Sequence, residues 1–330
     1  MRAWAASLLA VALLAGAGPA HAMARTLTLT KAGESPPYRV VGQTVSASDG
    51  HSWLFRRTGP LTLLATDTTT GRSRSLDLRA AGIGDAEDCR PSAAITSMLL
   101  VSCDATGALL LRSPQFTALA VPPPAPPAAY LAQVMPHQWE DIGTQWIAGG
   151  TTTCADPRAR CDAFYLNWRS GAYHLANGFD TSGRQRYDGT RQLDDPALHA
   201  VPGCERRPVG QCDQMGSYAL RLQPTQAEPG RLDLLRSGHV VRTLSRHGAV
   251  GAFDLQAGRA AWVQDTRLRV RDIHGEDAAV YRLPRASPTY RPMRVTQTDG
   301  RVLVELGSTN PARPTKFYLG TIPERLRSTT

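Results

Sequence analysis

Three arginines alternate with apolar residues along Arg267, Leu268, Arg269, Val270 and Arg271. In an extended strand this spacing puts the guanidiniums on one side and the apolar pair on the other. Arginine forks match carboxylates and phosphates, so the ladder is suited to receiving an anion. A solvated strand flanked by Asp265 and Asp272 explains it equally well. Trp139, together with Trp168 and Tyr173, offers rings for a binding surface, although aromatic residues make up only 6% of the chain. His137 stands near Glu140 and Asp141, and His274 lies within residues 272–277 beside Asp272, Glu276 and Asp277. Both groups have the residue types for metal ligation or acid–base work, yet both read as polar turns. Asp194 and Asp195 lack the regular oxygen spacing of a calcium loop.

Local catalytic motifs are missing: there is no Gly-x-Ser-x-Gly elbow, His-Glu-x-x-His helix, P-loop or dinucleotide fingerprint. Asp49-Gly50-His51-Ser52-Trp53 resembles the Asp-box turn of sialidase-like propellers but is one residue short and occurs once, so it reads as an ordinary turn. No catalytic residue, metal site or cofactor is therefore expected. The chain reads as a binding protein, with a propeller enzyme of the lyase, lactonase or glycosidase kind as the alternative. Strand-based sites leave no local motif, because their residues converge only in three dimensions.

Six cysteines, Cys89, Cys103, Cys154, Cys161, Cys204 and Cys212, form three near-neighbour couples. An even count in an exported chain points to disulfides. Cys154 with Cys161 and Cys204 with Cys212 would each close a short polar loop. Cys89 and Cys103 flank a midpoint at Thr96, so a hairpin turning at Thr96-Ser97 sets them opposite each other, at a separation a disulfide can span. The Cys-x2-Cys spacing common in zinc sites does not occur.

The first 22 residues carry Arg2, an apolar run over residues 4–14, helix breakers at Gly16, Gly18 and Pro19, and Ala20-His21-Ala22. That order predicts a signal peptide cleaved near Ala22, giving a secreted or periplasmic product. The run falls short of the roughly twenty apolar residues a membrane span needs, and no Cys follows it to take a lipid, so no membrane anchor is expected. Net charge is +9, but the 37 basic residues are nearly all arginines scattered along the chain. Nucleic-acid binding would cluster them on one face. No nucleic-acid partner is expected, and the partner is read as an unidentified protein or cell-envelope ligand.

Positioning such residues requires a scaffold, and the pattern here is all-β. Short apolar runs, often alternating, are punctuated every 8–12 residues by Gly, Pro, Asp and Ser. One grammar recurs: Ser52-Trp53-Leu54-Phe55, a Thr58-Gly59-Pro60 turn, residues 61–65, then Asp67-Thr68-Thr69-Thr70-Gly71 and residues 73–78. One apolar anchor per unit gives Trp53, Leu99, Trp146, Ala219, Trp262 and Leu303, at steps of 46, 47, 73, 43 and 41 residues. Four steps fit the period of four-stranded propeller blades. Over most of its mature length the chain resembles exported WD40-like or TolB-like β-propellers, without a repeated Gly-His or Trp-Asp pair. The resemblance implies a single propeller of about six four-stranded blades. Two β-sandwich domains hinged at the proline-rich residues 122–127 are the alternative.

The last unit ends soon after residues 317–320 and lacks an outer strand. Residues 26–30, Thr26-Leu27-Thr28-Leu29-Thr30, alternate as a half-buried strand should and are expected to complete it, covering an open edge. The long step from Trp146 to Ala219 carries a polar insertion over residues 177–216, of the kind that can bear function.

Overall fold

The computed structural model of the chain describes residues 26–38, 43–104, 107–123, 138–150, 163–175, 212–224, 229–246, 250–284 and 288–327. Among them the chain is strand and turn, with two short 3-10 segments at Leu78–Ala81 and Glu324–Leu326. Strands β1 (Thr26–Thr28) and β2 (Thr30–Ser35) come first, and six sheets follow in chain order. The first holds β3 (Ser46–Ser48), β4 (Trp53–Gly59), β5 (Thr62–Asp67) and β6 (Ser73–Asp77); the second holds β7 (Cys89–Ile95), β8 (Met98–Cys103), β9 (Gly107–Arg112) and β10 (Thr117–Leu119). The third holds β11 (Gln138–Ile142), β12 (Trp146–Gly150), β13 (Ala163–Asn167) and β14 (Tyr173–Leu175). The fourth is β15 (Cys212–Met215), β16 (Tyr218–Pro224), β17 (Pro229–Arg236) and β18 (His239–Ser245). The fifth is β19 (Val250–Gln256), β20 (Arg259–Gln264), β21 (Arg267–Asp272) and β22 (Ala278–Arg282). The sixth is β23 (Tyr290–Gln297), β24 (Arg301–Ser308) and β25 (Thr315–Thr321), completed by β2.

The consecutive strands of each sheet form an antiparallel meander whose turns follow from local side-chain chemistry. At the end of the third strand in three sheets, an Asp or Asn oxygen accepts two backbone N–H groups of the turn. Asp67 takes those of Thr69 and Thr70, Asn167 those of Arg169 and Ser170, and Asp272 those of His274 and Gly275. Such side chains mimic a backbone turn. Gly71 and Gly171 close two of these turns at φ of 73° and 74°, where a Cβ would be strained.

All six anchors, Trp53, Leu99, Trp146, Ala219, Trp262 and Leu303, fall on second strands, which are buried on both faces. In β8, Leu99 and Val101 pack toward the first sheet while Leu100 packs toward the third. In β24, Val302, Val304 and Leu306 face the fifth sheet and Leu303 faces the first. The two-residue period of a strand makes this split. Equivalent clusters join the fourth sheet to the fifth through Leu220, Leu234, Leu255 and Trp262. Burying a side chain of this size contributes about 1.5–3 kcal/mol. Neither face of one sheet can achieve that alone, so the sheets stack as propeller blades.

The N-terminal segment completes the last sheet, with one correction to the expectation from sequence. Residues 30–35, not 26–30, pair antiparallel with β25. Residues 26–28 instead run parallel to β22 and add a fifth strand to the neighbouring sheet. The alternating threonines thus span two sheets, and Leu29, 8% exposed, packs in the core between the fifth and sixth. A bulge at Gly33 lets the Arg56 guanidinium of the first sheet approach and donate to the Ala32 carbonyl.

Cys89 and Cys103 pair directly across the β7–β8 hairpin, with Cα atoms 4.1 Å apart, and form a disulfide. Cys212 is also disulfide-bonded, while Cys154, Cys161 and Cys204 lie outside the described residues. Residues 1–22, 124–127 and 177–211 lie outside them as well. The Cys89–Cys103 link closes a 14-residue separation. The chain-entropy model assigns a loop of that size about 3 kcal/mol. Replacing both cysteines by alanine should lower the denaturant-unfolding free energy by that order, read from urea midpoints; an unchanged midpoint would contradict it.

Candidate functional site

The first strands of the sheets lie side by side, β3 with β7, β7 with β11, β15 with β19, β19 with β23, and β23 with β3. Polar side chains gather where they converge. Glu305 on β24 is 1% exposed and faces the first sheet. Its two oxygens accept the Val45 N–H at 3.0 and 3.1 Å, and one accepts the Ser46 hydroxyl at 2.7 Å. Burial pushes its pKa up to about 7, against the pull of those hydrogen bonds and the charges of Arg294 and Arg90. Both arginines also bond to Thr44, which precedes β3.

A second acidic group joins the fourth, fifth and sixth sheets. Asp254 on β19 is 6% exposed and accepts the Gln297 amide of β23 at 3.1 Å. Asp213 on β15 is within hydrogen-bonding reach of it. Burial, and next the charge of Asp213, hold the Asp254 carboxyl well above the usual carboxylate range. Two carboxyl groups this close hold a proton between them. Such a pair has the chemistry of a general acid and base. The Asp213 oxygens are nevertheless engaged by backbone, accepting from Gln214 N at 2.8 Å and Leu255 N at 2.7 Å.

Between the fourth and fifth sheets the packing changes character with distance from the axis. Trp262 and Ala260 meet the leucines of the fourth sheet. Further out, the same face of the fifth sheet carries the arginine ladder. Arg269 lies opposite Trp262 and Val280, Arg271 opposite Ala260 and Ala278, and Arg267 opposite Arg282. Leu268 and Val270 point the other way, into the core shared with the sixth sheet, as the alternation requires. From the fourth sheet, Arg242 donates to the Gly275 carbonyl at 2.8 Å and to Glu276 at 2.6 Å. Arg271 bonds the other oxygen of the same carboxylate. Glu276, with a side chain 80% exposed, is thus clamped by two guanidiniums from neighbouring sheets. Arg267, Arg269 and Arg282 make no ion pair among the described residues, and the Arg269 Nε is buried without an acceptor.

The structure distributes the other expected residues differently. Trp139 is 4% exposed and packs between the second and third sheets with Leu100, Ile142 and Trp168. Its ring therefore fills a seam and does not form a binding surface. Trp168, 7% exposed, lies in the same cluster under the Arg169 guanidinium. The Tyr173 side chain, His137, Asp194, Asp195 and the side chains of Glu140 and Asp141 lie outside the described residues. His274 sits in the Asp272 turn, its ring edge-on to Tyr218 at 5.3 Å. Asp49 accepts three backbone N–H groups, from His51, Ser52 and Trp53, confirming a turn. No group of three or more metal-binding side chains occurs among the described residues. A recess of about 350 Å³ is lined by Trp53, Asp67, Thr70, Arg72, Ser73 and Arg74. Sequence reasoning missed Glu305, Asp213 and Asp254. The signal for Glu305 was a lone acid inside the apolar run Val302-Leu303-Val304-Glu305-Leu306.

No family model matches the sequence, and no curated protein matches it. Among solved structures, a chain of a mitotic checkpoint complex aligns with 96% of this chain and 98% of its own length. The two are 11% identical, with a TM-score of 0.52. A computationally designed protein, Ika8, aligns with 84% of this chain and 71% of its own at 9% identity and a TM-score of 0.33. The first likeness supports a propeller-like fold.

Proposed function

We propose that this protein is an exported, noncatalytic β-propeller that binds a protein or cell-envelope ligand. The observation that carries this reading is how the convergent carboxylates are used. Glu305 and Asp213 accept backbone N–H groups from neighbouring sheets, and Asp254 accepts a side-chain amide from another. Carboxylates in these roles fix one sheet against the next. Export agrees with the Cys89–Cys103 disulfide, a bond characteristic of oxidising compartments. No helix among the described residues is long and apolar enough to cross a membrane.

The Asp213–Asp254 pair favours a second reading, a propeller enzyme using a shared proton at the axis. The two readings separate in one experiment. Purified protein is assayed against aryl glycosides, lactones and uronate polymers beside an Asp254→Asn variant. The binding reading expects no turnover by either protein. Turnover by the wild type that the variant lacks would replace it with the enzyme.

A further inference from the structure

We infer that the seam between the fourth and fifth sheets is an acidic-peptide site, with the Arg267, Arg269 and Arg271 ladder as its floor and Glu276 as a built-in competitor. The inference rests on the binding reading above and adds the ligand class and the place. Its first support is the carboxylate already there. Arg242 and Arg271 come from different sheets and grip opposite oxygens of Glu276, so the pair is spaced for a carboxylate. Glu276 is highly exposed on a turn. Two surface ion pairs of this kind hold a side chain weakly, and an incoming carboxylate can take its place.

The second support is the surplus of charge beyond that clamp. Arg267, Arg269 and Arg282 extend the same face without an ion pair among the described residues. Two neighbouring acids are directed elsewhere: Asp272 caps its own turn, and Asp277 lies 3.7 Å from Arg325. The third is period. Ladder arginines two residues apart along a strand recur at about 7 Å. An extended peptide with an acidic residue at every second position repeats at the same distance. Its carboxylates can therefore meet Arg271, Arg269 and Arg267 in turn, each through a charge-assisted hydrogen bond.

The test uses the whole mature protein and a fluorescein-labelled dodecapeptide of alternating Glu and Thr, followed by anisotropy at low ionic strength. Two controls are the Gln-for-Glu peptide and a peptide of the same composition with its six Glu in one block. The alternating peptide is expected to bind and the Gln peptide not. Arg269→Gln should weaken binding about tenfold, the scale of one hydrogen bond to a charged group. Glu276→Gln should strengthen it severalfold by freeing Arg242 and Arg271. Both positions are outside the apolar core, and an unchanged melting temperature verifies that the variants fold. Weaker or unchanged binding by Glu276→Gln overturns the inference, as does equal affinity for the block peptide, which marks a general polyanion surface. Absence of peptide binding also overturns it and leaves the noncatalytic reading intact, since that reading stands or falls on turnover.

Discussion

Replacing Arg57 with methionine should destabilise the protein by about 3–5 kcal/mol, the cost typical of breaking a buried ion pair from one side. The Arg57 side chain is 1% exposed, and its Nη2 lies 2.6 Å from Asp88, itself 5% exposed. Arg57 belongs to β4 of the first sheet, and Asp88 immediately precedes β7 of the second. The other guanidinium nitrogen, Nη1, donates to the Pro36 carbonyl at 2.7 Å, just beyond β2. The Tyr38 ring covers the group at 5.0 Å. One side chain therefore ties three pieces together: the first sheet, the second sheet and the N-terminal strand that completes the sixth. Methionine keeps much of the volume but leaves the Asp88 carboxylate buried without this cation. Asp88→Asn added to Arg57→Met should recover part of the loss, because the stranded charge is then removed. Hydrogen exchange should rise over residues 30–38 in the single variant, since β2 loses its downstream anchor. A loss under 1 kcal/mol, read from denaturant midpoints, would show that the pair contributes little.

The same residues show what sequence can and cannot reveal. The β7–β8 hairpin was legible because both cysteines and the turn between them are local, so spacing alone fixes the register of Cys89 against Cys103. The six anchors were legible because second strands are buried on both faces, and their large apolar residues recur with the period of the blade. The N-terminal completion was legible in kind and displaced in register. Threonine and leucine alternate through residues 26–30, and nothing local shows that the chain changes sheets around Leu29. Glu305 and Asp254 were not legible as inter-sheet contacts. Glu305 meets Val45 across 260 residues, and Gln297 meets Asp254 across 43. A solitary acid in an apolar strand signals an unusual partner without saying which. Trp139 failed for the converse reason. It stands outside the recurring positions of Trp53, Trp146 and Trp262, yet a ring on a first strand also packs in the seam between sheets.

Glu305 leads to the second large effect, a stability that falls as pH rises through the mildly acidic range. Its carboxyl titrates near 4.5 in the unfolded chain and about 7 in the folded protein. Between those values the unfolded state gives up the proton that the folded state keeps. The folded state then binds more protons, so unfolding becomes easier with each step upward in pH. The contribution is fully present below pH 4.5, declines from there to about 7 and is gone above it. A shift of this size corresponds to about 3 kcal/mol. Asp254, also raised by burial, acts with the same sign and must be separated. The Glu305→Gln variant does so. Its amide oxygen can still accept the Val45 N–H, and its amide N–H can donate to the Ser46 hydroxyl, so the join between the sixth and first sheets persists without a titrating group. Unfolding free energies measured from pH 4.5 to pH 8 should fall less steeply for Glu305→Gln than for the wild type. The remaining slope should flatten when Asp254→Asn is added. Parallel curves for wild type and Glu305→Gln would mean that the Glu305 carboxyl titrates alike in the folded and unfolded chain, which contradicts the effect of its burial. A wild-type curve that rises relative to that of Glu305→Gln would mark the contact with Val45 and Ser46 as a charged one that strengthens on leaving acid.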